Sequence, residues 1–235
     1  MRDLLINLLA SVIAGLAVWL VGRLVRYRRL AREQAFFGLT GGAACLLSAP
    51  RHFSSPRENS VHRRDVAALV ELASVARECG ARADLAGDRD LATEFGRQTE
   101  FCVGGPGANP RTATHLRTIL RGVTFPQPGS TVVAGTEYTA ESGVAEYVVL
   151  ARAWGPAGGK PVFVLAGQTA PTNLAAARYL AGEHRRLFRT YRADRPFCLV
   201  LRVVEPAVYG TDFTELVADV TAVAFRAPPD GQPKG

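Results

Sequence analysis

The stretch TEFCVGGPGANPRTATHLRTIL, residues 99–120, holds the pattern with the most chemical content. An apolar run ends on Gly104 and Gly105, a third glycine and two prolines follow, and Asn109 precedes a helical pattern. Glycine leaves main-chain N–H groups uncovered, and the first turn of a helix adds unpaired N–H groups and partial positive charge. Together they make a place where an anion, a phosphate above all, can reach the backbone. The same order recurs in VFVLAGQTAPTNLAAARYL, residues 162–180: a strand-like run, Gly167, then Thr169, Thr172 and Asn173 around a proline at a helix start, where its missing N–H costs nothing. A third loop, SAPRHFSS, residues 48–55, adds Ser48, Arg51 and His52. The candidate ligand contacts are therefore Ser48, Arg51, His52, Gly104, Gly105, Asn109, Thr112, Gly167, Thr169, Thr172 and Asn173. Asparagine and threonine at such places also serve as helix caps and turn formers, so a binding use and a structural use compete at each.

Other chemistries find less support. GGPGAN lacks the lysine of a Walker-type phosphate loop, and no G-x-G-x-x-G follows the first strand-like run. The four histidines are far apart and show no metal-binding spacing. Ser48 lacks the G-x-S-x-G elbow of a nucleophile. Glu137, Glu141 and Glu146 flank an expected hairpin, where solvated carboxylates are ordinary, and nothing marks one as acid or base. No cofactor and no metal are implied. The strand–glycine–helix grammar resembles that of Rossmann-like nucleotide sensors, including those of bacterial signalling and defence systems. That resemblance implies a small-molecule binding role and carries over no individual residue.

These loops need a scaffold, and the chain is long enough to supply one. It has 235 residues, 48% of them apolar and 21% charged, which suits a single cored domain with an appendage. The net charge of +7 favours anionic partners. It is concentrated in Arg23, Arg26, Arg28, Arg29 and Arg32, and again in Arg185, Arg186, Arg189, Arg192 and Arg195. Aromatic residues do not interleave with either cluster, so nucleic acid is not an expected partner.

The segment LLINLLASVIAGLAVWLV, residues 4–21, carries no charge. As a helix it would cover roughly 27 Å, close to the hydrocarbon thickness of a bilayer. A cleaved signal would place its positive charge first and end on small residues; here bulky basic residues follow the run. Residues 4–22 are thus expected to cross the lipid bilayer once, and the arginines that follow place the C-terminal domain in the cytoplasm. Cys45, Cys79, Cys102 and Cys198 are widely spaced, with no C-x-x-C, and three lie in strand-like apolar runs; buried thiols are expected.

Along the rest, apolar runs alternate with helical patterns: AACLLSAP, a helix over RDVAALVELASVARECG, a weak strand or short helix, TEFCV, and a helix to about Leu120. STVVAGTEYTA and GVAEYVVLARAWGP are expected to pair as an antiparallel hairpin about Glu141–Gly143. KPVFVLAG, a long helix, PFCLVLRVV and TELVADVTAVAF complete the pattern. The expected fold is α/β, a Rossmann-like three-layer mixed sheet with an antiparallel portion, preceded by one N-terminal transmembrane helix. The expected units are residues 1–35 as anchor and basic juxtamembrane segment, 36–227 as cytoplasmic domain and 228–235 as a disordered tail. The functional expectation is a membrane-anchored module that binds a nucleotide-like or phosphorylated small molecule and signals through the anchor or by homo-oligomerisation. The alternative is an anchored nucleotide hydrolase or glycosidase using the same cleft.

Overall fold

The computed structural model describes residues 2–52, 55, 57, 60–86 and 95–227, except for the side chains of 2–6 and 8–12. The described residues form ten strands and six helices in the order α1 (Arg2–Phe37), β1 (Ala44–Ser48), α2 (Arg63–Glu78), β2 (Arg82–Ala86), β3 (Thr99–Val103), α3 (Pro110–Thr118), β4 (Val123–Thr124), β5 (Ser130–Val133), β6 (Thr136–Thr139), β7 (Ala145–Gly155), β8 (Gly158–Gly167), α4 (Ala170–Tyr191), β9 (Phe197–Val204), α5 (Pro206–Tyr209), β10 (Thr214–Asp219) and α6 (Thr221–Ala224). Seven strands build one mixed sheet in the order β10-β9-β7-β8-β3-β1-β2, and β4, β5 and β6 build a small second sheet. Strands β2, β1, β3 and β8 are mutually parallel, whereas β7 runs antiparallel to both β8 and β9, and β10 antiparallel to β9. The fold is α/β and consistent with the Rossmann-like class.

Strand alternation sends side chains to two cores. Phe101, Val103, Val148, Leu150, Phe163, Leu165, Phe197 and Leu199 face one side, beneath Leu69 and Leu72 of α2 and Leu174 and Leu180 of α4. Cys102, Val149, Val162, Val164, Cys198 and Val200 face the other, beneath Leu116 of α3, Val133 of the small sheet and Ala224 of α6. All four cysteines are unpaired and buried. Burial pushes the Cys45 thiol up to about 11 and that of Cys79 to about 12, which makes both inert as nucleophiles at neutral pH.

Helix α1 is unbroken, and its last residues, Phe36 and Phe37, are buried in the core against Phe163. Further back it leaves the body: Ile13, Leu16, Val18, Trp19, Leu20, Val21, Leu24 and Val25 are all exposed. Among the described residues, no helix is long and apolar enough to cross a membrane. Part of the expected span falls on side chains 4–6 and 8–12, outside the described residues, as does the expected tail at 228–235.

The middle of the chain pairs differently from the expectation. The turn falls inside STVVAGTEYTA, so that β5 pairs with β6. Ala134 (φ 49°) and Gly135 (φ 88°) close it as a two-residue turn of the kind whose twist matches a hairpin. GVAEYVVLARAWGP, apolar on both faces, instead enters the centre of the large sheet as β7, between β8 and β9. Only the first half of TELVADVTAVAF is strand; Val220 begins the turn into α6.

Candidate functional site

Because β8, β3 and β1 are adjacent and parallel, the three loops that leave their C-terminal ends meet on one edge of the sheet, where ligands of open α/β sheets are bound. A cleft of about 190 Å³ lies there, lined by Pro50, Arg51 and His52 after β1, Gly105 and Ala108 after β3, Gly167, Gln168, Thr169, Ala170 and Asn173 at the β8–α4 junction, and His62 and Asp65 at the start of α2. The loops are tied together by main-chain bonds: Arg51 N donates to Ala108 O at 2.8 Å and Gly104 N to Leu165 O at 2.9 Å. The amide of Gly105 has no hydrogen-bond partner among the described residues.

Of the residues expected from the sequence, Arg51, His52, Gly105, Gly167, Thr169 and Asn173 line this cleft, and Ser48, Gly104, Asn109, Thr112 and Thr172 do not. Asn109 caps α3, its Oδ1 accepting from Arg111 N at 3.0 Å, Thr112 N at 3.3 Å and Ser48 Oγ at 3.2 Å. Its Nδ2 donates to Ser48 O and Val103 O. Every polar atom of that side chain is engaged within the fold, and the Ser48 hydroxyl with it. Thr172 is fully buried and its hydroxyl joins the main chain of Thr169 as both donor and acceptor. Thr112 is fully buried too, with a hydroxyl that has no partner among the described residues. Gly104 is required by its own surroundings: at φ 95°, an added Cβ would lie 2.6 Å from Cβ of Pro50.

Two polar lining residues, His62 and Asp65, lie outside the three loops that the sequence points to. His62 is the N-cap of α2, with Nδ1 accepting from Arg64 N at 3.2 Å. Asp65, three positions on, is buried and accepts from Asn173 Nδ2 at 2.8 Å, while Asn173 Oδ1 accepts from Gly167 N at 2.8 Å. Burial pushes the Asp65 carboxyl up, a shift that the Asn173 hydrogen bond and the charges of His62 and His52 only partly offset. The H-x-x-D spacing at a helix start was the available signal. The His52 ring lies 5.4 Å from that of His62, tilted by 37°, and its Nδ1 is buried without a partner among the described residues. Beside them Thr169 Oγ1 donates to the Glu146 carboxylate. Gln168 fixes the small sheet over the end of β8, donating to Tyr138 O at 2.7 Å and accepting from Tyr147 N at 2.8 Å.

A second polar cluster lies under α3. Glu100, within β3, accepts from Arg111 Nε at 2.7 Å and Nη2 at 2.5 Å and lies 3.1 Å from His115 Nε2. Glu100, Cys102 and His115 have donor atoms within 4.8 Å of one another. The bidentate Arg111 nevertheless covers both carboxylate oxygens and supplies the positive charge that a metal would bring. Burial alone would raise the Glu100 carboxyl, but the hydrogen bonds and charges of Arg111 and His115 hold it below the usual range. This cluster is an internal ion pair that seats α3 on the sheet.

Compared with known proteins, the chain matches no family model, no curated protein and no solved structure. The functional reading rests on the geometry above.

Proposed function

We propose that this protein is a membrane-anchored module whose cleft at the ends of β1, β3 and β8 binds a phosphorylated or nucleotide-like small molecule in a sensing role. One observation carries the reading: unsatisfied hydrogen-bonding groups, the Gly105 amide and His52 Nδ1, converge with the N-terminus of α4 and the Arg51 side chain on one cleft. Buried polar atoms in folded proteins almost always have partners, and His52 Nδ1 is buried without one among the described residues; a free main-chain N–H beside a helix N-terminus suits an anion. The volume of about 190 Å³ fits a phosphate and part of a sugar rather than a whole drug-sized ligand. The anchor reading is supported by the apolar side chains of residues 13–25, exposed along a helix whose end at Phe36 and Phe37 is buried in the body. So much uncovered apolar surface needs a non-aqueous surrounding, and the arginines that follow favour a cytoplasmic body.

Thermal shift of the full chain in detergent against a nucleotide panel and inorganic phosphate tests the ligand. Stabilisation by a phosphorylated compound, reduced in Arg51→Ala, is the expected result; no stabilisation by any member would refute it. Carbonate extraction and protease protection test the anchor separately. A second reading, hydrolysis in the same cleft, is favoured by Asp65 alone: a buried carboxyl with a raised pKa is suited to proton donation. Product formation lost in Asp65→Asn would select it over binding without turnover.

A further inference from the structure

Away from the cleft, α1 and α4 form a groove of about 520 Å³ where α1 emerges from the body. Phe36 and Phe188 form its floor, their rings 6.5 Å apart, and Val25 stands exposed at its outer end. The walls are basic. Arg28, Arg29 and Arg32 come from α1 and Arg185 and Arg189 from α4, with Glu33 as the single acid in the lining. Glu33 is already matched, 3.0 Å from Arg29, 3.3 Å from His184 Nε2 and 3.4 Å from Arg185. Arg28, Arg32 and Arg189 have no acidic partner among the described residues.

We propose that this groove binds the headgroup of an anionic phospholipid, with its phosphate on Arg28, Arg32 and Arg189 and the first part of its acyl chains against Val25 and Phe188. The proposal rests on the reading of α1 as a membrane anchor. In that setting Arg28 and Arg32 lie about one and two helical turns beyond Val25, the depth at which headgroups begin. Three features favour a lipid over other occupants. An arginine fork matches a phosphate. The apolar floor suits acyl carbon, which a free anion lacks. A second copy docking by this face would bring arginine against arginine.

The test uses the full chain, reconstituted in phosphatidylcholine vesicles and in vesicles of equal parts phosphatidylglycerol and phosphatidylcholine. Carbonate resistance in the first set reads the anchor alone, whatever the groove does. Thermal unfolding and native mass spectrometry after gentle delipidation read the groove. The expected result is a higher Tm and retained phosphatidylglycerol in the mixed vesicles. Each arginine removed should weaken retention by about fivefold at low salt, and about a hundredfold for the Arg28→Gln/Arg32→Gln/Arg189→Gln variant. Carbonate-resistant protein with equal Tm in both lipids would overturn the proposal while leaving the anchor standing. So would a variant that retains the lipid as well as the parent, or inorganic phosphate reproducing the stabilisation, which would make this a free-anion site. A concentration-dependent dimer abolished in the variant would assign the groove to a second copy instead.

Discussion

Replacing Glu100 by Gln should destabilise the protein far more than an average substitution does. The Glu100 side chain is 0% exposed and that of its partner Arg111 only 7%, so both charges have left water. Glutamine keeps the shape and one acceptor but strands a buried guanidinium. Breaking a buried pair from one side costs about 3–5 kcal/mol, and the retained acceptor argues for the lower end. For a body of this size about 3 kcal/mol corresponds to roughly 6–12 °C in Tm. The double variant Glu100→Met/Arg111→Met removes both charges and should recover most of the loss, because apolar replacement of an entire buried pair is often neutral. Differential scanning calorimetry of the single and double variants gives the coupling directly. The carboxyl is held below its usual range in the folded protein. Its contribution is therefore present above the unfolded value of about 4.3 and lost as pH falls through the lower folded pKa. The gap between parent and Glu100→Gln should accordingly be full at neutral pH and close in acid. A single variant within about 1 kcal/mol of the parent, or a double variant as poor as the sum of the singles, would refute the account of α3 as ion-paired to the sheet.

Other substitutions separate structure from binding. Gly104→Ala meets both a positive φ and Pro50, and should cost a few kcal/mol, whereas Gly107→Ala, with open space around it, should melt close to the parent. Asn109→Ala should cost about 3 kcal/mol or more by urea denaturation, since it removes the α3 cap and also orphans two buried carbonyls. Asp65→Asn should raise Tm at neutral pH: its folded pKa is raised, so ionisation opposes folding above about 4, and the gain should vanish below that. Arg152→Gln should lower Tm by several degrees without altering ligand binding in the cleft, since it lies at the C-terminal end of α4 whereas the cleft lies at the N-terminal end.

Much of the frame was legible in the sequence because it depends on local pattern. The continuous apolar runs around Leu47, Phe101 and Val164, each ending near glycine or proline, identify buried parallel strands, and the helical spacing of Val66, Leu69, Val70, Ala73 and Ala76 identifies α2, although Val66 and Val70 are exposed and the buried face runs through Leu69, Leu72 and Val75. Strand pairing was less accessible, since alternation states which face is buried and not which neighbour is bonded; β7 therefore passed for half of a hairpin. The site divides in the same way. Glycine loops can be seen as loops, but whether Asn109 faces a ligand or a carbonyl depends on Ser48, far away in sequence. Glu100 and Arg152 were hidden inside apolar runs, where their charges are satisfied by groups that no spacing rule connects.

Arg152 also explains how an exposed N-terminal helix can be held by a folded body. Its guanidinium, fully buried in β7, donates to Phe36 O at the end of α1 at 3.1 Å, and to Arg192 O and Arg195 O beyond the end of α4 at 2.7 and 2.6 Å. The carbonyl ends of two helices converge there, each with unpaired acceptors and partial negative charge. An apolar residue would leave those acceptors unsatisfied. The rings of Phe36, Trp154 and Phe197 lie 4.5–5.2 Å from the guanidinium carbon and replace part of its lost hydration. Burial pushes its pKa down to about 10, which leaves it protonated at neutral pH. Thr99 Oγ1 on Phe37 O and Lys160 Nζ on Gly38 O pin the next residues to β3 and β8. Bending α1 at this joint would break the bonds to Phe36 O, Phe37 O and Gly38 O together, two of them from charged donors and so stronger than neutral hydrogen bonds. The end of α1 is therefore fixed to α4 rather than hinged. Since α4 begins at the cleft and passes the arginine groove before it reaches Arg152, one rigid helix borders both proposed ligands.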